Sequence, residues 1–283
     1  MKSFILNDQV EIPSIGLGVY QVPGNGPTYQ AVSQALKAGY RHIDTAENYG
    51  NEADVGRAVR DSGIDRKEIF VTSKLWIPHY SYEKAKEGIQ LSLQKLGLAY
   101  VDLYLLHQPY GDTIGAWKAL EEAVDDGRIR SIGISNFTIA YLKDFLPHCR
   151  IIPSVNQMEC NPFCQQKALR AYEEPYGIRM EAWYPLGHGN TELLTHELFQ
   201  KLARKYHKST VQIILRWHVQ EGIIAIPKTL DPAHMKDNLN IYDFALTEQE
   251  MEEIRSMDTA KPTRDPDDPK RKAYILAIVS PVY

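Results

Sequence analysis

The sequence predicts one closed (β/α)8 barrel, an α/β fold with a short N-terminal β-hairpin and an extra C-terminal helix and tail. Three observations carry that prediction. Eight short apolar runs alternate with stretches of helical periodicity from residue 15 to residue 240. No linker interrupts them, so 1–283 reads as a single domain. No Gly-rich dinucleotide fingerprint or phosphate loop occurs: Gly16 and Gly18 begin a G-x-G, but position 21 is Gln. Unbroken βα alternation means a parallel sheet covered by helices, and eight such units close it into a barrel.

The elements follow in order. "FILND" and "VEIP", within the first 13 residues, make a small hairpin ahead of the barrel. "IGLGVY" (15–20) is the first barrel strand. In "TYQAVSQALKAGY" (28–40) Val32, Ala35 and Leu36 share one face, which is helical spacing. "HIDTA" (42–46) is the second strand, and "EADVGRAVRDSG" (52–63) a helix stopped at Gly63. "EIFVTSKLW" (68–76) leads into the helix "SYEKAKEGIQLSLQKLG" (81–97), and "VDLYLLHQ" (101–108) into "GAWKALEEAVDDG" (115–127). "IRSIGISNF" (129–137) precedes "IAYLKDFL" (139–146), and "PSVNQME" (153–159) precedes "QQKALRAYEE" (165–174). "IRMEAWYPL" (178–186) is followed by two helices, 196–208 and 210–222. "IIAIPKT" (223–229) closes the series. Its helix opens at Asp231, a capping residue with Pro232 in the first turn. "LTEQEMEEIRSM" (246–257) is an added helix, with Thr247 and Glu250 as a capping box and Leu246 and Met251 as its staple. "KPTRDPDDPKRK" (261–272) is charged and proline-rich, hence a solvated loop. "AYILAIVSPVY" (273–283) is apolar and must cover something.

Bulk properties exclude several classes. A net charge of −4 implies no strong field, so neither nucleic acid nor a membrane is an expected partner. No window approaches the roughly 18 apolar residues of a membrane span, and the N-terminal apolar run is too short for a signal peptide. Three cysteines, Cys149, Cys160 and Cys164, have no second Cys/His pair at zinc spacing. Free thiols in a cytoplasmic protein, and no metal site, are the expectation.

In a barrel of this kind the chemistry sits at the C-terminal strand ends. The second strand ends at Asp44, the third at Lys74 and the fourth at His107, with Tyr49 on the loop after the second. These strands are neighbours about 4.8 Å apart, so Asp44 and Lys74 can touch. Val101, Leu103, Leu105 and His107 share one parity, which puts His107 on the face of an apolar layer. Singly, each residue has a plainer explanation: a turn for Asp44, the surface for Lys74, packing for Tyr49 and His107. Together they make a site. A phenol near pKa 10 is a weak acid; a buried ammonium beside it favours the phenolate, and a carboxylate keeps that ammonium charged. On this reading Lys74, held by Asp44, lowers the pKa of Tyr49, and His107 orients the substrate oxygen.

With these residues in view, the chain resembles the aldo-keto reductase family over nearly its whole length. "GYRHIDTAENYGNEADVG" (39–56), "VDLYLLHQP" (101–109), "IGISNF" (132–137), "NQMECNP" (156–162) and "IPKT" (226–229) follow in that family's order. The resemblance implies an NADPH-dependent oxidoreductase reducing carbonyl compounds without a metal, with Asp44, Tyr49, Lys74 and His107 as the catalytic four. It further implies Ser135, Asn136 and Gln157 on the carboxamide, Trp183 stacked on the nicotinamide, and Leu186 at the pyrophosphate. Lys228 and Thr229 would hold the adenosine 2′-phosphate, and Asp237 and Asn238 the adenine. Plainer readings stay open: Ser135 and Asn136 as the N-cap of the helix at 139, Trp183 as core.

Two departures from the family pattern matter. His234 stands where the family usually has Arg. Histidine can stack but carries little charge at pH 7, so the preference for NADPH over NADH is expected to weaken. Gln108 follows His107 where many relatives have Trp, removing an aromatic wall. Matching positions suggest Tyr20, Trp76 and Tyr110, with His107, for a small-molecule carbonyl substrate. No arginine is evident at the rim to fix a carboxylate, and the short tail after 260 leaves the pocket open. A monomer is expected, with the apolar run 275–279 as the alternative interface. The rival class is a nicotinamide-binding regulatory or structural protein of the same fold. A phosphate-binding barrel isomerase or hydrolase lacks the paired carboxylates or metal ligands it would need.

Overall fold

The computed structural model describes residues 2–278. Two short strands, β1 (Ser3–Ile5) and β2 (Glu11–Pro13), pair antiparallel with Phe4 opposite Ile12, as the two N-terminal runs predict. Eight parallel strands follow: β3 (Leu17–Gly18), β4 (His42–Asp44), β5 (Phe70–Leu75), β6 (Val101–Leu106), β7 (Ile129–Ser135), β8 (Val155–Glu159), β9 (Arg179–Trp183) and β10 (Ile224–Ala225). They stand side by side in sequence order. The ring closes where Ile15 bridges Ala225, with Gly16 N–H donating to the Ala225 carbonyl and Ala225 N–H to the Ser14 carbonyl, both at 3.0 Å. The predicted (β/α)8 barrel is the observed fold.

The strands are shorter than their apolar runs, for local reasons. After Ser135, Asn136 turns into the left-handed region, φ 66°, and after Trp183, Tyr184 does the same at φ 53°. Neither can continue a pleated strand. Beyond β10, Pro227 has no N–H to offer a ladder. The G-x-G at 16–18 also has a structural reason. A Cβ on Gly16 would lie 2.7 Å from the His42 ring and from Ile226, so β3 needs glycine to pass them.

One end of the barrel is sealed by apolar side chains. Leu6 and Ile12 of the hairpin pack with Phe70, Leu103, Leu105, Val155 and Ile224. Burying such side chains stabilises by roughly 1.5–3 kcal/mol each. That leaves the C-terminal strand ends as the face available to polar groups. The outer helices sit close to prediction, for example Tyr82–Leu96 and Thr210–Gln220. Asp231 accepts from Ala233 N–H at 2.7 Å, and the Thr247–Glu250 capping box is complete. Among the described residues, no helix is long and apolar enough to cross a membrane.

The tail departs from expectation. A helix, Pro269–Ala277, begins inside the stretch read as a solvated loop, with Asp268 as its N-cap. Asp268 followed by Pro269 is a helix start of the same kind as Asp231–Pro232, hidden by the charge around it. Ile275 is buried, whereas Tyr274, Leu276 and Ile278 are exposed. Val279, in the proposed interface run, and the remainder to 283 lie outside the described residues.

Candidate functional site

Asp44 ends β4, and Lys74 lies two residues past the point where β5 pairs with it, Asp44 opposite Thr72. The lysine reaches back, and its ammonium donates to Asp44 Oδ1 at 2.7 Å, Asp44 Oδ2 at 2.8 Å and the Thr45 carbonyl at 2.8 Å. Both side chains are buried, so each charge depends on the other: removing one partner of such a pair costs about 3–5 kcal/mol. Gln157, on β8 across the barrel, adds a fourth bond, Nε2 to Asp44 Oδ2 at 2.8 Å.

The residues between Asp44 and Glu52 place Tyr49. A short turn, Glu47–Tyr49, ends at Gly50 with φ 69°. Its buried Glu47 accepts from the Trp76 N–H at 2.8 Å and contacts His79 Nδ1 at 2.6 Å, tying the turn to the loop after β5. Asn51 donates to the carbonyls of Val19 and Val22 at 3.1 and 3.0 Å and accepts from Thr45 Oγ1 at 2.6 Å. The loop carrying Tyr20 is thereby fastened to the same turn. Glu52 is held by Ser73 Oγ at 2.6 Å. Glu47, Asn51 and Glu52 are thus buried fasteners.

Tyr49, His107, Tyr20 and Trp76 converge. Ring centroids are 5.7 Å apart for Tyr49 and His107, 5.1 Å for Tyr20 and Tyr49, and 5.1 Å for Trp76 and His107. The Lys74 ammonium lies 5.1 Å from the Tyr49 ring centroid. One sequence expectation needs correction here. The Tyr49 pKa is not lowered: burial, and then the Asp44 charge, push it well above the usual phenol value. All three donors of Lys74 are already used on Asp44 and Thr45, and the cation that opposes the upward shift is Arg264, from the tail. Burial, and then the charge of Lys74, hold His107 well below the usual imidazole range, so it is neutral at pH 7. Its Nδ1 is buried without a hydrogen-bond partner.

A cavity of about 780 Å³ opens from these residues. Asp44, Tyr49 and His107 line it, with Tyr20, Trp76, Ser135, Asn136, Gln157, Trp183, Leu186 and Lys228. Ser135 and Asn136 are not the helix cap; Thr138 precedes the helix Ile139–Phe145. Instead Asn136 donates to the His107 carbonyl at 3.0 Å and accepts from Trp183 Nε1 at 3.2 Å, which holds the indole plane as a wall. Trp183 is only partly buried, so it is not core. Thr229, His234, Asp237 and Asn238 lie beyond the cavity lining, on the turn and the helix Pro232–Leu239; His234 and Asp237 are exposed and Asn238 is buried.

Three further expectations fail. Tyr110 does not line the cavity; it is buried and donates to the Pro266 carbonyl at 2.9 Å. The pocket is not left open by a short tail, because Arg264, Arg271, Tyr274, Ile275 and Ile278 form part of its wall. Arginine is therefore present at the rim. These residues are far in sequence from every strand end, and no local pattern connects them to the site.

Three groups at successive strand ends and a fourth on the loop after the first make up the cluster, and the chain that carries them can be compared with known proteins. The Aldo/keto reductase family model matches residues 14–259. The chain belongs to the aldo/keto reductase family. It is 42% identical over 256 residues to a glyoxal reductase of Bacillus subtilis, covering 89% of this chain and 91% of that protein. It is 42% identical over 268 residues to a morphine 6-dehydrogenase of Pseudomonas putida, covering 90% of each. Among solved structures, a Bombyx mori aldo-keto reductase in complex with NADP superposes with a TM-score of 0.85 at 33% identity, covering 92% of this chain and 94% of that one.

Two buried groups of this aldo/keto reductase escaped the sequence reading. Glu181 on β9 lies beneath the ion pair with both oxygens unpartnered, and burial, then the Asp44 charge, push its pKa up to about 8. Its Oε1 is 3.8 Å from Nε2 of His42, which burial holds down to about 3. Both shifts favour the neutral form, carboxylic acid and imidazole, beneath the Lys74–Asp44 pair. The cysteines are free, with burial raising the thiols of Cys149 and Cys164 to about 12.

Proposed function

We propose that this protein reduces aldehydes or ketones to alcohols with NADPH, Tyr49 supplying the proton. The observation that carries the reading is the convergence of Tyr49, His107 and the Lys74–Asp44 pair at the floor of one cavity whose side wall is Ser135, Asn136, Gln157 and Trp183. A bound nicotinamide cofactor would supply hydride. Trp183, held flat by Asn136, suits one face of a planar ring. Ser135, Asn136 and Gln157 supply donors and acceptors beside it, and exposed Lys228, in no ion pair among the described residues, offers a point charge to a phosphate.

The chain's own groups divide the remaining work. His107, neutral and pressed between Tyr49 and Trp76, donates a hydrogen bond to the carbonyl oxygen and holds it toward the Tyr49 hydroxyl. Tyr49 transfers its proton to that oxygen as it becomes an alkoxide. The phenolate left behind is favoured by the Arg264 charge, while Asp44 holds the Lys74 ammonium 5.1 Å from the Tyr49 ring centroid. Tyr20 and Trp76 exclude water from the reacting oxygen.

The test follows cofactor absorbance at 340 nm with a panel of aldehydes. Turnover with NADPH is expected, and with NADH to a lesser degree, the gap narrowed because His234 stands where an Arg would offer its donor fork to a phosphate. A kcat/KM ratio for NADPH over NADH well below one would overturn the NADP assignment. Tight cofactor binding without turnover of any aldehyde would favour the regulatory reading.

A further inference from the structure

The family match ends at residue 259, yet the cavity's outer wall comes from beyond it. That wall is anchored firmly. The Glu159 carboxylate, at the end of β8, accepts from the Thr263 N–H at 2.9 Å, from Thr263 Oγ1 at 2.8 Å and from the Arg264 N–H at 3.2 Å. Tyr110 holds the Pro266 carbonyl, Thr138 donates to Asp267 Oδ1 at 2.9 Å, and Thr259 binds the Phe163 carbonyl through both N–H and hydroxyl. These contacts come from three barrel loops, so the tail's position over the cavity is built in.

The tail brings two guanidinium groups. Arg264 lies 5.2 Å over the Tyr184 ring, and Arg271 lies 5.9 Å from the Tyr274 ring. Neither is in an ion pair among the described residues; five other arginines share that, but Arg264 and Arg271 are the arginines that line the cavity. The cavity's charged lining is Asp44, Lys228, Arg264 and Arg271. Asp44 is already matched by Lys74, and Glu159 is occupied by the tail backbone. A net positive charge therefore faces the cavity, and Arg264 is close enough to the reacting end to act on the Tyr49 hydroxyl. With no carboxylate partner and a fork of five N–H donors each, both guanidiniums can offer donors to an oxyanion.

We propose that Arg264 and Arg271 make this a site for carbonyl substrates that carry a carboxylate, with the tail guanidiniums binding the anion while Tyr49 and His107 hold the carbonyl. This deepens the carbonyl-reduction reading and rests on it. The alternative use of the same charges, contact with the cofactor's phosphates, is an outcome of the test.

The probes are 4-carboxybenzaldehyde and its neutral methyl ester, reduced with NADPH by the wild-type chain and by Arg264→Gln, Arg271→Gln and their lysine counterparts. Cofactor affinity is followed separately by tryptophan fluorescence. The wild type is expected to prefer the acid by at least tenfold in kcat/KM, with added salt eroding the preference. Each glutamine variant should cut the acid-to-ester ratio several-fold through KM for the acid, and lysine should restore part of it. A wild-type ratio near or below one with good turnover of the ester overturns this inference and leaves carbonyl reduction standing. An unchanged ratio with a raised cofactor Kd assigns the arginines to the cofactor and overturns it as well. If neither aldehyde turns over, the reduction reading fails and the inference falls with it.

Discussion

The cavity has two walls of different construction. The barrel wall holds Asp44, Lys74, Gln157 and His107 on strands or just past them, buried, with the ion pair's hydrogen bonds between 2.7 and 2.8 Å. Around the reacting groups its charges cancel, and Lys228 stands apart beyond β10. The tail wall, residues 260–278, hangs from side-chain fasteners such as Glu159–Thr263 and Tyr110–Pro266, and its cavity-lining arginines are in no ion pair among the described residues. Locally balanced charge and strand-borne geometry suit a reaction common to many substrates. A wall with free charge on a separately attached segment suits choosing among them. On the proposed reading, chemistry and selectivity are divided between covalently distant parts of the chain.

Substitutions can break or sharpen that division. The largest effect belongs to the barrel wall: Tyr49→Phe should lower kcat by about 10²–10⁴ while cofactor Kd stays near normal, as steady-state kinetics and fluorescence titration would show. More than a tenth of wild-type activity in that variant would refute the proton-donor role. Next, Lys74→Met should leave Asp44 buried without its cation and destabilise the fold by about 3–5 kcal/mol in urea melts. A Thr263→Val change touches only the tail anchor; losing its hydroxyl bond to Glu159 should cost about 1 kcal/mol. It should raise substrate KM several-fold with kcat held, and speed amide exchange across 261–277. An equal loss in kcat would mean the two walls are not separable.

Two pH effects are smaller. Tyr49, raised well above the ordinary phenol value, should stay protonated, so kcat/KM for reduction should be level from pH 6 to pH 9. An alkaline limb centred near 7 would restore the sequence-based view that Lys74 depresses it. Glu181 has its folded pKa raised to about 8 from 4.5, so the folded state binds this proton more tightly than the unfolded chain. Its contribution is fully present below about pH 4.5 and lost as pH rises through about 8. Glu181→Gln should therefore flatten the fall of Tm between pH 5 and pH 8, and an unchanged slope would show that Glu181 is not what sets it.

Much of this protein is readable in its residues because the signals are local. Strands and helices announce themselves by period, and strand-end polarity picks out Asp44, Lys74 and His107, since parallel neighbours must bring them together. The loop residue Tyr49 is found with them, as are Ser135, Asn136, Gln157 and Trp183 on the cavity wall. Strand ends were overrun where a left-handed residue or a proline stops the ladder, as at Asn136, Tyr184 and Pro227. The direction of the Tyr49 shift was misjudged because it depends on how deeply the hydroxyl is buried and where Lys74's three donors go. No spacing encodes either. The tail was half read: its apolar end was expected to cover something and lines the cavity, but the charge of 261–272 says solvent, whereas contacts with Glu159, Tyr110 and Thr138 turn it over the cavity. The sequence by itself thus determined the barrel, the polar cluster at its strand ends and the order of its parts, because those follow from periodicity and from neighbouring strands. Only the tertiary structure decided which unpaired cations face the cavity and which carboxylates are buried and neutral, because burial and long-range hydrogen bonds join residues separated by a hundred positions or more.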